Sequence, residues 1–334
     1  MLAACSSGSA IAPTLAQQQT NGGRTAGALE RPGIESTARH QVEGFYSCPR
    51  QGKIEYISDD YTSSIYVFAG KFAGQAPCGL ITKGLVRPWG LFVDKKSHDL
   101  YVANSYKHDV LVFHRGALQR YNEYYHKVMD GTGHPTDVAI APDGTLLVST
   151  FVTHGGPEGI QWGDVDTWIR GTHGGTFVNE VMIGDSFGGG PITVDKAGAA
   201  YFAFPAFNRD EQNIWSMSCP AGVCGNPVEL VPYASNVYYS GLRFDDDVGA
   251  LLAVTRGQGG FLNITLDTFT FPNPNPSIIQ LGGGSPEGMA IDPSDKHIFV
   301  DNMDTGNVEF AYPSGEIVGS VQAVRAPIGV AVDP

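Results

Sequence analysis

The stretch Ser285–Asp301, SPEGMAIDPSDKHIFVD, contains the pattern that recurs along this chain. It has a Pro-x-Gly start, an apolar alternation, a turn over Pro293–Lys296 and a second apolar run at Ile298–Val300. Alternation with period two, interrupted by turn residues and resumed with β-branched and aromatic residues, predicts two antiparallel strands joined by a tight turn. Two more strands are predicted after them, at Asn307–Phe310 and Glu316–Val321. One repeat is therefore predicted to be a four-stranded meander.

Each repeat can be identified by the first apolar residue after the start of its first strand. These residues are separated by 47, 54, 50, 47 and 41 positions, and they are Leu91, Val138, Ile192, Leu242, Met289 and Val330. Intervals of about 40–50 residues are typical of propeller blades. An Asp stands three positions after five of the six. The sequence therefore predicts an all-β fold, a six-bladed β-propeller of four-stranded antiparallel blades.

The last repeat ends after a single strand, at Pro334. Its three missing strands are predicted near the other terminus, at Lys53–Ser58, Ser64–Phe68 and Gly79–Thr82. A blade shared by both termini closes the ring and removes an open sheet edge. We expect residues 48–334 to form one propeller domain with one composite blade, and residues 1–47 to form a separate segment.

Composition is that of a β protein rich in turns: 42% of residues are hydrophobic and 16% charged, with 43 Gly and 21 Pro. The formal net charge is −13, and no dense stripe of Lys and Arg is found. A surface that binds nucleic acid or anionic lipid needs such a stripe to neutralise phosphates. We expect a monomer without a nucleic-acid partner, and nothing in the sequence requires an organic cofactor.

Leu2–Cys5, LAAC, resembles the lipobox of bacterial lipoproteins, in which the Cys is lipidated and becomes the new N-terminus. The resemblance implies a lipid anchor at Cys5 as the only membrane attachment, in the cell envelope on the periplasmic or outer-membrane side. The charged and apolar regions of a signal peptide do not precede it, so the expectation requires a true start upstream of Met1. The alternative is a chance match in a cytoplasmic protein. Residues 6 to about 41, rich in Ser, Gly, Ala, Gln and Thr, are predicted to be a flexible tether.

Four cysteines remain besides Cys5, an even number that favours pairing in an exported protein. Cys219 and Cys224 flank a four-residue segment in a predicted hairpin. Cys48 precedes the second strand of the composite blade, and Cys78 opens its fourth. The sequence predicts two local disulfides, Cys219 with Cys224 and Cys48 with Cys78. Zinc binding is the weaker alternative, because neither pair has two-residue spacing or a nearby His.

The starts of first strands and the ends of second strands meet at one mouth of a propeller channel. The ligand-binding residues predicted there are Asp59, Trp89, Asn104, His134, Asp137, Arg256, Glu287 and Asn302. Oxygen atoms of four of them can hold calcium or another divalent cation, namely Asp59, Asn104, Glu287 and Asn302. The alternative is that the Asp and Asn side chains only bind neighbouring backbone at strand ends.

The segment Phe151–Phe177 is the least repetitive part of the chain, and it is interpreted as a long turn that forms a wall or lid. It contains Thr-His-Gly-Gly twice. A second possible metal site combines two imidazoles of this segment with a third at a blade start, and two carboxylates lie between the first two. The residues are His154, His173 and His134, with Asp164 and Asp166. The alternative is that the glycines after each His merely supply turns.

Pro88–Asn104, PWGLFVDKKSHDLYVAN, resembles the repeats of the NHL and SMP-30/gluconolactonase-like six-bladed propellers. That resemblance implies a divalent cation held by Glu, Asn and Asp at the channel mouth. Glu287 stands at a blade start here, while the other starts carry Trp89, Thr136 and Ile328 in place of Asn. The run His134–Ala139 is similar to the amidating lyases, which bind zinc through His at several blade starts. A single His favours a hydrogen-bonded rim residue.

Two functions follow. The favoured one is a non-catalytic cell-envelope lipoprotein whose propeller face binds a protein or glycan. The alternative is a hydrolase or lactonase of the gluconolactonase-like type that depends on a divalent metal.

Overall fold

A computed structural model describes residues 48, 52–70, 76–113, 120–125, 133–153, 161–171, 174–183, 189–205, 211–235, 237–257, 260–273, 275–322 and 324–334. These residues form 24 strands in six four-stranded antiparallel sheets, and their only helices are two 3-10 turns, Ser105–Lys107 and Pro220–Gly222. The prediction of an all-β, six-bladed propeller is confirmed. None of the described helices has the length and apolar character needed to cross a membrane.

The blades are numbered here in chain order. Blade 1 contains β1 (Ile54–Asp59), β2 (Ser64–Ala69), β3 (Gly79–Ile81) and, from the C-terminus, β24 (Pro327–Asp333). Blade 2 contains β4 (Pro88–Val93), β5 (Leu100–Asn104), β6 (Asp109–Phe113) and β7 (Arg120–Tyr125). Blade 3 contains β8 (Gly133–Ile140), β9 (Thr145–Thr153), β10 (Gln161–Gly171) and β11 (Gly174–Ile183).

The other three blades are contiguous in the same way. Blade 4 contains β12 (Ile192–Val194), β13 (Ala199–Pro205), β14 (Glu211–Ser218) and β15 (Val228–Ser235). Blade 5 contains β16 (Tyr238–Asp245), β17 (Ala250–Gly257), β18 (Gly260–Phe269) and β19 (Ser277–Gly283). Blade 6 contains β20 (Met289–Ile291), β21 (Ile298–Asn302), β22 (Asn307–Ala311) and β23 (Ile317–Gln322).

The composite blade forms as predicted. β24 pairs with β1 in antiparallel register, with Val330 opposite Ile57 and Ala331 opposite Tyr56. The sheet order is β24-β1-β2-β3, so the C-terminal strand is the inner strand of blade 1. β24 covers the edge of β1 that β2 leaves unpaired, so the two terminal regions close the ring at this blade.

The recurring Asp of the repeat fixes the hairpin between the first and second strands. Oδ1 of Asp94 accepts a hydrogen bond from the backbone N–H of Lys96 at 3.0 Å. Oδ1 of Asp292 does the same for Ser294 at 2.7 Å. A carboxylate that binds the N–H two residues later closes an Asx turn, so this part of the repeat serves the fold.

The core lies between the blades, because alternate residues of a strand face opposite neighbours. Tyr56 packs against blade 2 with Leu91. Its neighbour Ile57 packs against blade 6 with Phe299. Corresponding clusters fill the other four blade interfaces. Each sheet is therefore covered on both faces.

The predicted disulfides are both present. Cys48 is joined to Cys78, with their Cα atoms 4.9 Å apart, and Cys219 is joined to Cys224, with their Cα atoms 3.9 Å apart. Each closes a loop within one blade.

The interpretation of Phe151–Phe177 as a long turn was wrong. Most of this segment belongs to β10 and to the first part of β11. Val165 and Trp168 of β10 are buried against the neighbouring blades. The glycines suggested a turn, but burial of the apolar residues between them favours a strand.

Candidate ligand-binding face

An axial cavity of about 280 Å³ opens on what we call the top face, where first strands begin and second strands end. It brings together three of the predicted ligand-binding residues, Trp89, Asp137 and Glu287. Tyr238 and Arg243 line it as well. A second cavity of about 590 Å³ opens on the opposite, bottom face.

Arg243 lies between these two cavities and lines both. Its Nη1 donates to Oδ2 of Asp137 at 3.3 Å and to the carbonyl oxygen of Leu242 at 2.7 Å. Its Nη2 donates to the carbonyl oxygen of Leu91 at 3.2 Å. One guanidinium from blade 5 thus binds blades 2 and 3 across the channel, and it narrows the channel at this level.

Asp137 is a buried carboxylate that holds several groups at once. Oδ1 accepts from the N–H of Val138 at 2.9 Å, and Oδ2 accepts from the N–H of Ile192 at 3.1 Å. Burial raises the pKa of Asp137, while Arg243 and the two backbone donors oppose that rise. The side chain therefore positions blades 3, 4 and 5 around the cavity.

Glu287 is held at the cavity wall by Arg256, which was also predicted. Nη1 of Arg256 donates to Oε1 of Glu287 at 3.1 Å and to Oγ of Ser285 at 2.8 Å. The guanidinium carbon lies 4.3 Å from the ring centre of Tyr238. Burial raises the pKa of Glu287 against the opposing charge of Arg256. Burial likewise raises the pKa of Tyr238 to about 12.

Asp301 lies behind Glu287 and is fully buried. Its Oδ1 accepts from the N–H groups of Glu287 and Gly288 at 2.7 and 2.8 Å, whereas Oδ2 has no hydrogen-bond partner among the described residues. Burial raises the pKa of Asp301 to about 8. A Cβ on Gly288 would stand 2.8 Å from Oδ2, so only glycine fits there without movement.

Arginine and tyrosine side chains pair on the same face. Nε and Nη2 of Arg87 donate to the two carboxylate oxygens of Asp60 at 2.7 and 2.6 Å, and its guanidinium carbon lies 4.2 Å from the ring centre of Tyr106. Arg325 lies 3.5 Å from the ring centre of Tyr61. With Arg256 and Tyr238, three such pairs come from strand ends that meet at the top face.

Three of the four predicted cation ligands are not brought to the cavity, namely Asp59, Asn104 and Asn302. Oδ1 of Asp59 accepts from the N–H of Tyr61 at 2.9 Å. Oδ1 of Asn104 accepts from the N–H of Val86 at 2.7 Å, and Oδ1 of Asn302 accepts from that of Ser285 at 3.3 Å. All three are buried. Their oxygens bind loops of their own blades, and they do not converge with Glu287 on one cation position.

His134 lies at the interface of blades 2 and 3, outside the cavity lining. Nδ1 donates to the carbonyl oxygen of Ser105 at 3.1 Å, and the ring stacks on Phe151 at 4.7 Å. Burial and the neighbouring His108 lower the pKa of His134. The other two imidazoles of the predicted set, His154 and His173, and the predicted lipidation residue Cys5 lie outside the described residues.

Several cavity residues were not selected from the sequence, among them Asp60, Arg87, Tyr238 and Arg243. Arg243 carried a usable signal, because it interrupts the apolar run of a first strand between Leu242 and Phe244. The channel provides the polar environment for a charged side chain on the innermost strand of a propeller blade. The others carried no comparable signal.

No protein-family model matches the chain, and no curated protein sequence matches it. Solved structures do match. A chain from the crystal structure of a nidogen/laminin complex has a TM-score of 0.62 and 12% identity over 85% of this chain and 99% of that one.

Two further solved structures are similar to this chain. Hydrazine synthase from Kuenenia stuttgartiensis has a TM-score of 0.55 and 16% identity over 83% of this chain and 85% of that one. A glucose dehydrogenase has a TM-score of 0.50 and 13% identity over 71% and 86%. At these identities the likeness concerns the propeller fold alone.

Proposed function

We propose that this protein is a binding protein of the bacterial cell envelope and that its top face engages a protein partner. The observation that carries the proposal is the set of three arginine–tyrosine pairs on the top face, of which Arg87 and Tyr238 line the mouth of the top cavity. Tyr, Trp, Met and Arg are enriched in the cores of protein interfaces, and Tyr, Trp and Arg dominate their binding energy. Trp89 and Met303 line the same mouth.

The exposed rings are available for contact. Tyr61 is 62% exposed and Tyr106 is 44% exposed. Arg87, beside Tyr106, is already held by two hydrogen bonds to Asp60. A side chain that is fixed before binding loses little conformational entropy in the complex. The top face therefore presents contact residues whose side chains lose little conformational entropy when a partner binds.

The comparison with a chain from the nidogen/laminin complex supports this proposal, since that propeller-like chain belongs to a protein complex. A glycan ligand is the alternative that uses the same rings. Kinship with NHL-repeat or SMP-30/gluconolactonase-like proteins stays a prediction, as does a divalent-metal-dependent hydrolase or lactonase activity.

Site-specific photocrosslinking in the native cells tests the proposal. A photoreactive phenylalanine analogue is placed at Tyr61 or Tyr106 on the top face. The matched control is Tyr312, which is 41% exposed and follows β22 at the opposite face. We expect one discrete protein adduct from both top-face positions and none from Tyr312. The same adduct should weaken in Arg87→Ala, which removes the pair beside Tyr106.

Other outcomes discriminate between the functions. Polydisperse, glycosidase-sensitive adducts from the top-face positions point to a glycan. Adducts of equal yield at Tyr312, or none at any position, contradict a binding top face. Hydrolysis of aldonolactones that requires added calcium and is lost in Glu287→Gln favours the hydrolase.

The cellular location is a separate part of the proposal, and it rests on the LAAC sequence at Leu2–Cys5. Expressed from its native locus, the protein should partition with membranes and incorporate labelled palmitate. Cys5→Ala should abolish the labelling and release the protein or leave it unprocessed. Soluble, unlabelled protein in both cases contradicts a lipid anchor.

A further inference from the structure

Blade 3 gathers three carboxylates away from the top cavity. Asp164 and Asp166 lie two residues apart in β10, so they share one face of the sheet. Glu180 of β11 is paired directly with Asp166, and Thr150 of β9 is paired with Asp164. One carboxylate oxygen from each of Asp164, Asp166 and Glu180 lies within 4.8 Å of those of the other two.

This carboxylate cluster is closed toward the core and open toward solvent. Asp164 is 2% exposed and Asp166 is 0% exposed, whereas Glu180 is exposed. Two residues farther along the same face, Trp168 packs with Tyr101 of blade 2. The cluster therefore lies at the side of blade 3 that faces blade 2, and Glu180 marks its opening.

Negative charge at these positions is unfavourable unless something compensates it. Like charges directly opposite each other on neighbouring strands are destabilising, and a carboxylate removed from water needs a compensating partner. Oδ1 of Asp164 is buried and has no hydrogen-bond partner in the described part of the chain. Burial, with Asp166 and Glu180 nearby, raises the pKa of Asp164 well above its ordinary value.

The cluster also has a neighbouring hydroxyl that orients it. Oγ1 of Thr150 donates to Oδ2 of Asp166 at 3.3 Å. Three strands, β9, β10 and β11, thus contribute to one group of oxygen atoms on a rigid sheet.

We propose that Asp164, Asp166 and Glu180 bind one hard divalent cation of the calcium class at the side of blade 3. All three ligands are carboxylates, which calcium prefers, whereas structural zinc sites use Cys and His. Calcium accepts irregular arrangements of six to eight oxygens, while magnesium requires a near-ideal octahedron. Water can complete the coordination at the Glu180 side. The cation offsets the charge of the cluster and links the outer strands of blade 3.

Calcium titration of chelator-treated protein tests this site, with calorimetry and thermal unfolding as readouts. We expect one calcium ion per chain and a higher melting temperature with calcium. Asp164→Asn and Glu180→Gln should each weaken binding by about tenfold or more, because the number of charged ligands sets calcium affinity. Glu309→Gln is the matched control: it changes a half-buried carboxylate of β22 outside the cluster and should bind calcium like the wild type.

Terbium gives a readout that is independent of stability. Trp168 is close along β10 to the proposed ligands, so excitation of tryptophan should sensitise terbium emission that calcium then displaces. Glu180→Gln changes an exposed side chain and should fold normally, which keeps the test valid if Asp164→Asn does not fold. Absence of calcium uptake at millimolar concentration contradicts the proposal, as does uptake that neither cluster variant alters. A wild type insensitive to calcium, together with a more stable Asp164→Asn variant, shows that protons neutralise the cluster instead.

Discussion

Nη1 of Arg243 lies 3.3 Å from Oδ2 of Asp137, so an ion pair joins blade 5 to blade 3 inside the channel. The two side chains are only 15% and 9% exposed. Removing one partner of a buried pair costs about 3–5 kcal/mol, because the other charge stays buried without compensation. We predict that Arg243→Met lowers the free energy of unfolding by about 3 kcal/mol in urea titrations.

Two comparisons make this prediction specific. Adding Asp137→Asn to Arg243→Met should recover part of the loss, since the uncompensated charge is then gone. Lys296→Met breaks an exposed pair with Asp247 and should cost less than about 1 kcal/mol. Equal losses in Arg243→Met and Lys296→Met would show that the channel pair has no special role.

The closing strand gives a second prediction. Deleting residues 328–334 removes most of β24, including the buried residues Val330, Ala331 and Val332. Burial of each valine contributes about 1.5–3 kcal/mol, so the melting temperature should fall by roughly 10 °C or more. Deleting residues 1–41 should change it little. Comparable losses in the two truncations, measured by calorimetry, contradict closure by β24.

The two disulfides should differ in their effect on stability. The Cys48–Cys78 bridge has a sequence separation of 30, and the Cys219–Cys224 bridge has one of 5. A longer closed loop restricts the unfolded chain more, which favours the first bridge by about 1.5 kcal/mol. Replacing both cysteines of one pair by serine, followed by urea unfolding, measures each contribution. A larger loss from the short loop contradicts the expectation.

Asp301 makes stability depend on pH. Burial raises its pKa in the folded state to about 8, above the usual 3.8. Between these values the folded state binds more protons than the unfolded state, so stability falls as pH rises from about 4 to about 8, by up to about 1.4 kcal/mol per pH unit. Asp301→Asn should flatten this fall and be more stable than the wild type at pH 8.

The neighbouring Asp304→Asn is the control for that experiment, because Asp304 is exposed. Its stability should follow the wild-type pH profile. A wild-type profile retained in Asp301→Asn shows that other groups are responsible for the dependence.

The sequence predicted the repeats and their boundaries better than the directions of side chains at the channel. The spacing of apolar residues predicts a strand regardless of the backbone conformation at the ends of that strand. Leu91 and Met289 were therefore assigned correctly to first strands. Near the top face, however, the pairing register shifts between Ser58 and Asp59, and again between Pro88 and Leu91. A shift of one residue reverses which neighbouring blade a side chain faces.

At the end of β1, neighbouring residues differ from the roles predicted for them. Asp59 was predicted to face the cavity, but it binds its own loop, and the adjacent Asp60 lines the cavity instead. Arg256 and Glu287 were predicted separately, whereas their pairing depends on two blades meeting in space. The spacing of residues within one repeat contains no information about contacts between repeats.

The position of β24 has a consequence for biosynthesis. Its partner β1 lies near the other end of the chain, and β24 leaves the ribosome after every other strand of the ring. Until then β1 exposes the edge that β24 will cover, and blades 1 and 6 cannot complete the core they share. Ring assembly must therefore finish after β24 emerges, so the interval before that is when the nascent chain is most open to edge pairing with other chains or to capture by a chaperone.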